Sequence, residues 1–334
     1  MIKRIGVGVI GLGVGIHHVN IFLKNKNTKL IGVCEFKKKV IKKFKKKYPK
    51  IKIFDMAKTL IKDKNIKLVT IASYDNFHFE HIKECINEGK DFFVEKPLCL
   101  HFREYKNIKK LLKQKKHIKF SSNFVLRNSP QFVFLKEYIK KGKLGKIYHL
   151  SGEYNFGRIK KITDGWRGRI PFYSVSHGGG IHIIDIAMFL LNKFPTGCVS
   201  YGNNISTKKT IYKYKDNITS ILRFNNNITM NVTSNYGCVT PHHHTLKIYG
   251  TKKTFVQEFG KCKIFDTRNK KDKPKIINSN YKKRDKAYIL NSFIDSVISQ
   301  KKCIVPSDEV LKSMVTSLFV EKSMRTGKWE KIKI

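Results

Sequence analysis

VGVIGLGVGIHH, residues 7–18, decides how the first third of this chain is read. A short apolar run ends in Gly11, Gly13 lets a pyrophosphate come close to the backbone, and a helical pattern begins at once. The free amides and dipole at the start of such a helix favour an anion. The third glycine of a GxGxxG fingerprint belongs at residue 16, where Ile16 stands, and Gly15 comes one place early. The next apolar run, KLIGVCE (29–35), closes on Glu35. An acid at that point can accept hydrogen bonds from both ribose hydroxyls and repel a 2′-phosphate, which favours NAD. Lys37, Lys38 and Lys39 follow directly and keep NADP open, and a plain helix N-terminal acid is the other reading of Glu35.

Outward from this stretch, strand and helix signals alternate. Residues 37–48 read as a Lys-rich helix, 50–55 as a strand, 67–73 as a buried parallel strand and 78–89 as a helix stopped by Gly89. A strand (91–96), a helix (101–115) and a strand (117–122) follow. The fold class is α/β, with an N-terminal Rossmann-type doubly wound parallel sheet over residues 1–125. From 126 to 334 the pattern changes to helices near 129–145 and 180–192, six strand-like runs between 197 and 266, and helices at about 285–299 and 307–326. The second domain is expected to be α/β with an open, mostly antiparallel sheet. Residues 267–275 read as a charged loop.

The net charge is +45, from 69 basic against 24 acidic residues. Lysine is spread through every segment and only ten of the basic residues are Arg. That dispersal, beside abundant Ile, Asn and Phe, points to codon composition rather than to a nucleic-acid face, so no specific nucleic acid is expected. The charge still attracts anionic substrates at low salt. The seven cysteines are odd in number and form no CxxC pair, which suits a reducing cytoplasm. The start imitates a signal peptide, but it is glycine-rich and interrupted by His17 and His18. No apolar stretch reaches membrane-spanning length, so no membrane is expected.

IASYDNFHFEHIKECINEGKDFFVEKPL (71–98) narrows the reading. It carries Asn76, His78, Gly89, Lys90, Glu95, Lys96 and Pro97 in order, and with them the chain resembles the Gfo/Idh/MocA family, the glucose–fructose oxidoreductase and inositol dehydrogenase relatives. The resemblance implies that Lys96 reaches the reacting carbon beside the nicotinamide and that Pro97 follows a cis peptide. A lysine beside a cationic nicotinamide has its ammonium form disfavoured, which suits an acid or base. The implied cofactor contacts are Gly11, Gly13, Val14, Gly15, Glu35, Ser73, Asn76, His78, Glu95, Lys96 and Pro97.

The second motif is FYSVSHGGGIHIIDIAMFLL (172–191). His182 and Asp185, three residues apart, share one helix face. They match the family's G-x-H-x-x-D element, which gives His182 a part in proton transfer with Lys96 and makes Asp185 bind a substrate hydroxyl or orient a neighbour. Many relatives carry Asp four residues before that His, where this chain has Gly178. Arg127, Tyr154, Arg158, Trp166 and Arg167 are further substrate-binding candidates, since Arg forks suit carboxylate or phosphate and Trp stacks on a ring. Tyr236 and Arg169 are softer ones, and surface loop or packing is the plain alternative. PHHHT (241–245) puts His242 and His244 on one strand face, but no acid or thiol lies at ligand spacing, and no metal is expected.

The resemblance therefore implies an NAD(P)-dependent dehydrogenase acting on a secondary alcohol of a sugar, nucleotide-sugar or polyol, with surface-polysaccharide synthesis one setting. It also implies a homodimer or homotetramer. The alternative is a non-catalytic sensor of dinucleotide and ligand, favoured by Gly178 and opposed by the presence of both Lys96 and His182.

Overall fold

The structure, a computed structural model, describes residues 4–277, 287–299 and 301–333. The chain forms two compact units, Met1–Phe124 with Asp285–Leu311, and Val125–Arg284 with Lys312–Ile334.

In the first unit β1 (Ile5–Ile10), β2 (Thr28–Cys34), β3 (Lys52–Phe54), β4 (Leu68–Ile71), β5 (Asp91–Val94) and β6 (Phe120–Ser122) are all parallel, in the order β3-β2-β1-β4-β5-β6. Helices α1 (Gly15–Lys24), α2 (Lys38–Lys47), α3 (Ala57–Lys62), α4 (His78–Asn87) and α5 (Phe102–Gln114) connect them. Val7, Val9 and all of β4 are buried because helices cover both faces, which is why these strands read as unbroken apolar runs. The strand order reverses between β1 and β4, and in such sheets ligands bind off the carboxyl ends at that reversal.

The second unit holds β7 (Ile147–Asn155), β8 (Pro195–Asn203), β9 (Asn217–Phe224), β10 (Thr229–Asn235), β11 (His243–Gly250), β12 (Thr254–Glu258), β13 (Lys261–Phe265), β14 (Lys275–Ile277) and β15 (Glu330–Lys331). Their order is β14-β13-β12-β11-β7-β10-β9-β8-β15. Every pair is antiparallel except β7–β10, which is parallel. Helices α6 (Pro130–Lys140), α7 (Lys160–Thr163) and α8 (Ile181–Leu191) belong to this unit. On β9 and β10, Ile218, Leu222, Phe224, Met230 and Val232 alternate into the core with exposed neighbours. Ile183, Ile184, Ile186, Ala187 and Leu190 of α8 are buried, and each larger side chain contributes about 1.5–3 kcal/mol. Gly152 of β7 leaves room for the helix, since a Cβ there would lie 2.5 Å from Ile183 Cγ2.

The last two helices are α9 (Ala287–Ser299) and α10 (Ser307–Thr326). A single division at 125/126 leaves α9 with the second domain; its contacts place it in the first unit. The cause is its apolar face, where Phe293 packs on Phe93 with ring centroids 6.0 Å apart, while the Asn291 amide oxygen accepts from Asn25 Nδ2 at 2.9 Å. The expected start of this helix at 285 lies outside the described residues. Among the described residues no helix is long and apolar enough to cross a membrane.

Candidate active site

The glycine turn after β1 has the shape its sequence predicts. Gly11 has φ +84°, and a Cβ there would lie 2.5 Å from Ala72 O, so only glycine fits. A Cβ on Gly13 would meet nothing within 4 Å, which leaves open space over the turn. Gly15 performs the packing role of a third fingerprint glycine although it stands one place early, because a Cβ there would lie 3.0 Å from Val9 Cγ1. Val14 precedes α1 with no side-chain cap, and no acid lies in the first turn. An uncapped helix start beside open space fits a dinucleotide's phosphates.

Glu35 is buried at the end of β2. Its Oε2 accepts from Leu12 N–H at 2.8 Å, and its Oε1 accepts from Phe36 N–H at 2.9 Å and Lys37 N–H at 3.0 Å. The carboxylate thus fastens the glycine turn to β2, and of its roughly four lone-pair sites one, on Oε2, is left for a ribose hydroxyl. Asn76 Oδ1 is buried with no hydrogen-bond partner among the described residues, an acceptor that suits a cofactor donor.

The 73–97 region is tied together by side chains. His78 is fully buried, its Nδ1 2.7 Å from Pro97 O and its Nε2 3.2 Å from Ser73 O. Pro97 follows a cis peptide. Glu95 Oε1 accepts from Asn123 Nδ2 at 2.8 Å and lies 3.2 Å from His18 Nε2. Burial alone would raise the Glu95 pKa, but the hydrogen bond and charge of His18, the Asn123 bond and the Lys96 charge hold it below the usual range. Lys96 stands half-buried on this anchored turn. His18 and Asn123 carry no sequence signal for this role, because 77 and 28 residues separate them from Glu95 and no spacing links them. Lys90 is structural: its Nζ donates to the carbonyls of Asp63 at 2.9 Å and Ile66 at 2.7 Å, and burial lowers its pKa.

Ser73 Oγ lies 3.1 Å from His81 Nδ1. Burial, then the neighbouring His78, lowers the His81 pKa to about 4 from an ordinary 6.5. Between those values the unfolded chain binds more protons than the folded one, so stability rises with pH from about 4 to 6.5 and is level above. Urea titrations across that window should show His81→Gln removing roughly 2–3 kcal/mol of the pH-dependent change. An unaltered slope would contradict the assignment.

In the second unit the segment Ser176–Gly180 forms a π turn that runs into α8. His182 sits on α8 with its ring stacked on Tyr154 at 5.8 Å, and Tyr154 also meets His242 at 5.2 Å and His244 at 5.9 Å. Asp185 and Arg127 are brought together and fully buried. Arg127 Nε donates to Asp185 Oδ2 at 2.8 Å, Arg127 Nη2 to Oδ1 at 2.6 Å, and Ser313 Oγ to Oδ1 at 2.7 Å. The geometry gives this pair a bracing position rather than one open to a substrate, and Ser313, 128 residues away, carried no sequence signal. Among the described residues no three His, Cys, Asp or Glu side chains group as a metal site would.

Gly178 has a steric cause. A Cβ there would collide with the Tyr173 hydroxyl, lie 2.6 Å from Tyr173 Cζ and 2.9 Å from Tyr236 Oη. Both tyrosines are buried, and their hydroxyls lie 3.2 Å apart. Aromatic hydroxyls fill the space an aspartate would need. Gly178→Asp and Gly178→Ala should each lower stability by about 1–3 kcal/mol in denaturant unfolding, because the clash begins at Cβ. A Gly178→Asp chain as stable as the parent would show that the tyrosines yield.

A parallel Rossmann sheet with a glycine turn, an acid at the end of β2 and a second open sheet define a two-domain oxidoreductase fold. Residues 5–124 match the model of the oxidoreductase family with an NAD-binding Rossmann fold, and residues 132–256 match the GFO/IDH/MocA C-terminal domain. The chain belongs to the GFO/IDH/MocA oxidoreductase family. An uncharacterised oxidoreductase of Schizosaccharomyces pombe is 28% identical over 144 residues, 43% of this chain and 39% of that protein. The chain thus spans about two fifths of the length of the first curated relatives it matches, 38–39% in each. Glucose-6-phosphate 3-dehydrogenase of Bacillus subtilis is 26% identical over 272 residues, 78% of this chain and 76% of that one. Among solved structures, scyllo-inositol dehydrogenase of Lactobacillus casei with NAD(H) and scyllo-inositol matches with TM-score 0.80 at 18% identity, over 99% of both chains, a likeness of fold.

Proposed function

We propose that this chain is a nicotinamide-dependent dehydrogenase that moves a hydride between NAD(H) and a secondary alcohol of a sugar or polyol. The observation that carries the reading is the Glu95–Lys96–Pro97 turn, held by His18, Asn123 and His78 in the same unit as the open glycine turn and Glu35. So much buried anchoring around one half-buried lysine is what a positioned acid or base needs. Bound NAD supplies the hydride acceptor or donor. Gly11, Gly13, Val14 and Gly15 shape the turn for its phosphates, and Glu35 accepts from its ribose, with Ser73, Asn76 and His78 along the β4 end. Lys96 takes the hydroxyl proton in oxidation and returns it in reduction. His182 assists, and the Arg127–Asp185 pair keeps α8 in place.

Family membership and the named activities of the relatives, on glucose 6-phosphate and on inositols, support a carbohydrate-like substrate. The finer reading is a nucleotide-linked sugar in surface-polysaccharide synthesis, supported by the +45 charge and by Arg158, Trp166 and Arg167. A cytoplasmic setting agrees with seven cysteines lacking CxxC spacing. A homodimer or homotetramer through the second sheet agrees with its exposed Tyr148, Tyr201 and Ile221. The test is a screen of inositols, hexoses and nucleotide-sugars with NAD or NADH, read by absorbance of the reduced cofactor. Turnover on one class supports the reading and names the substrate. NADPH binding far more tightly than NADH would overturn the role of Glu35.

A further inference from the structure

Gly178, Gly179 and Gly180 make a weak start for a helix, because glycine gives up more backbone freedom on folding than any other residue. They nevertheless lead straight into α8, which has no side-chain cap at its N-terminus. Packing demands them: a Cβ at Gly178, Gly179 or Gly180 would collide with Tyr173, Tyr154 or Ser234 respectively. The groups that fix this turn come from α10. Ser313, Ser317 and Glu321 stand four residues apart and so lie in one row along that helix. All three are buried, where a polar group without a hydrogen bond is costly. Glu321 Oε2 accepts from Ser174 Oγ at 2.6 Å, and Ser174 Oγ in turn accepts from the backbone N–H of Ser176 at 3.1 Å and of His177 at 3.4 Å. Ser317 Oγ lies 2.7 Å from His177 Nδ1 and 3.2 Å from Ser176 Oγ. One turn earlier on α10, Ser313 Oγ donates to Asp185 Oδ1 at 2.7 Å. The row thus grips the entry to the π turn, its first two residues and α8 itself. His182 stands two residues beyond Gly180 on that helix.

We propose that Ser317 and Glu321 are positioning residues for His182: they fix the glycine turn, and through it the direction in which α8 presents the imidazole. Both are buried and act through the turn. A misplacement of about 1 Å at a group that handles a proton costs roughly 10²-fold in rate, so hydrogen bonds away from the chemistry can govern it. The word positioning rests on the dehydrogenase reading, in which His182 assists Lys96; the fixed turn does not.

The experiment follows the His182 ring by NMR in the full chain with isotope-labelled histidine, its signal assigned by its loss in His182→Gln. Ser317→Ala should move or broaden that signal and shift its titration midpoint. Ser323→Ala is the control. Ser323 is an equally buried serine of α10, but its hydroxyl accepts from Ser200 N–H at 2.9 Å and donates to Lys328 O at 2.6 Å, and neither belongs to the turn. Ser323→Ala should lower the denaturant midpoint and leave the His182 signal in place. Glu321→Leu should disturb the signal as Ser317→Ala does, whereas Glu321→Gln keeps a carbonyl acceptor for Ser174 and should largely restore it. The Glu321 pair decides the matter if Ser317→Ala does not fold. On the polyol or sugar that turns over with NAD, Ser317→Ala should lose about 10- to 100-fold in kcat with KM within about twofold. An unmoved His182 signal in Ser317→Ala, the same change in Ser323→Ala, or an unchanged kcat would overturn the positioning role. NADH titration of the same samples keeps the two readings apart. If the signal moves as expected and NADH fails to bind the parent, the dehydrogenase reading falls and the fixed turn stands. If NADH binds, a polyol turns over and the signal stays in place, the reverse holds.

Discussion

Lys96→Ala should lower kcat by about 10²–10⁴-fold on the identified substrate, the span for loss of a general acid or base. NADH affinity should change little. The turn that presents Lys96 is held by other side chains, since Glu95 is fixed by His18 and Asn123 and the Pro97 carbonyl by His78. The variant should therefore fold, bind cofactor and fail at chemistry. Lys96→Arg keeps the charge but has no proton to give near neutral pH, so it should fail almost as badly. Single-turnover absorbance measurements on both variants check this. Intact turnover in Lys96→Ala would remove the lysine from the mechanism.

Removing one partner of the Arg127–Asp185 pair should cost about 3–5 kcal/mol, among the largest losses a single change can cause here. Both side chains are about 1% exposed, and the carboxylate receives two Arg127 donors and the Ser313 hydroxyl. Asp185→Ala takes the carboxylate away from a buried guanidinium, and Arg127→Ala takes the cation away from a buried carboxylate. Replacing both by apolar residues of similar size should recover most of the loss, because the desolvation cost of each ion disappears with it. Denaturant midpoints of the two single variants and the double variant form the cycle that measures this. Additive losses would show that the two residues act independently.

The strongest local signals were those with few physical solutions. A glycine turn between a buried strand and a helix can be built in few ways, so residues 7–18 were enough to place that turn at the end of β1. β7 was not legible, because Gly152, Ser151, His149 and Glu153 dilute its alternation, although it lies at the middle of the second sheet. Its parallel pairing with β10 also carried no local mark. The return of α9 to the first unit depends on Phe293 meeting Phe93, a contact across 200 residues. Of the candidate residues, Lys96, His182 and Asp185 were picked out by motif, but what holds each in its own unit was not. His18, Asn123 and Ser313 act across long sequence separations, and the tyrosines that exclude a side chain at 178 become visible only when packed.

The bond from Leu12 N–H to Glu35 bears on affinity as well as on cofactor choice. A glycine-rich segment would otherwise surrender much of its backbone entropy on meeting a ligand, about 1–2 kcal/mol per residue fixed. Here that disorder is given up during folding, through a carboxylate the second strand already provides. A dinucleotide bound at this turn would meet a preorganised cradle, and its contacts would go to binding rather than to ordering the loop.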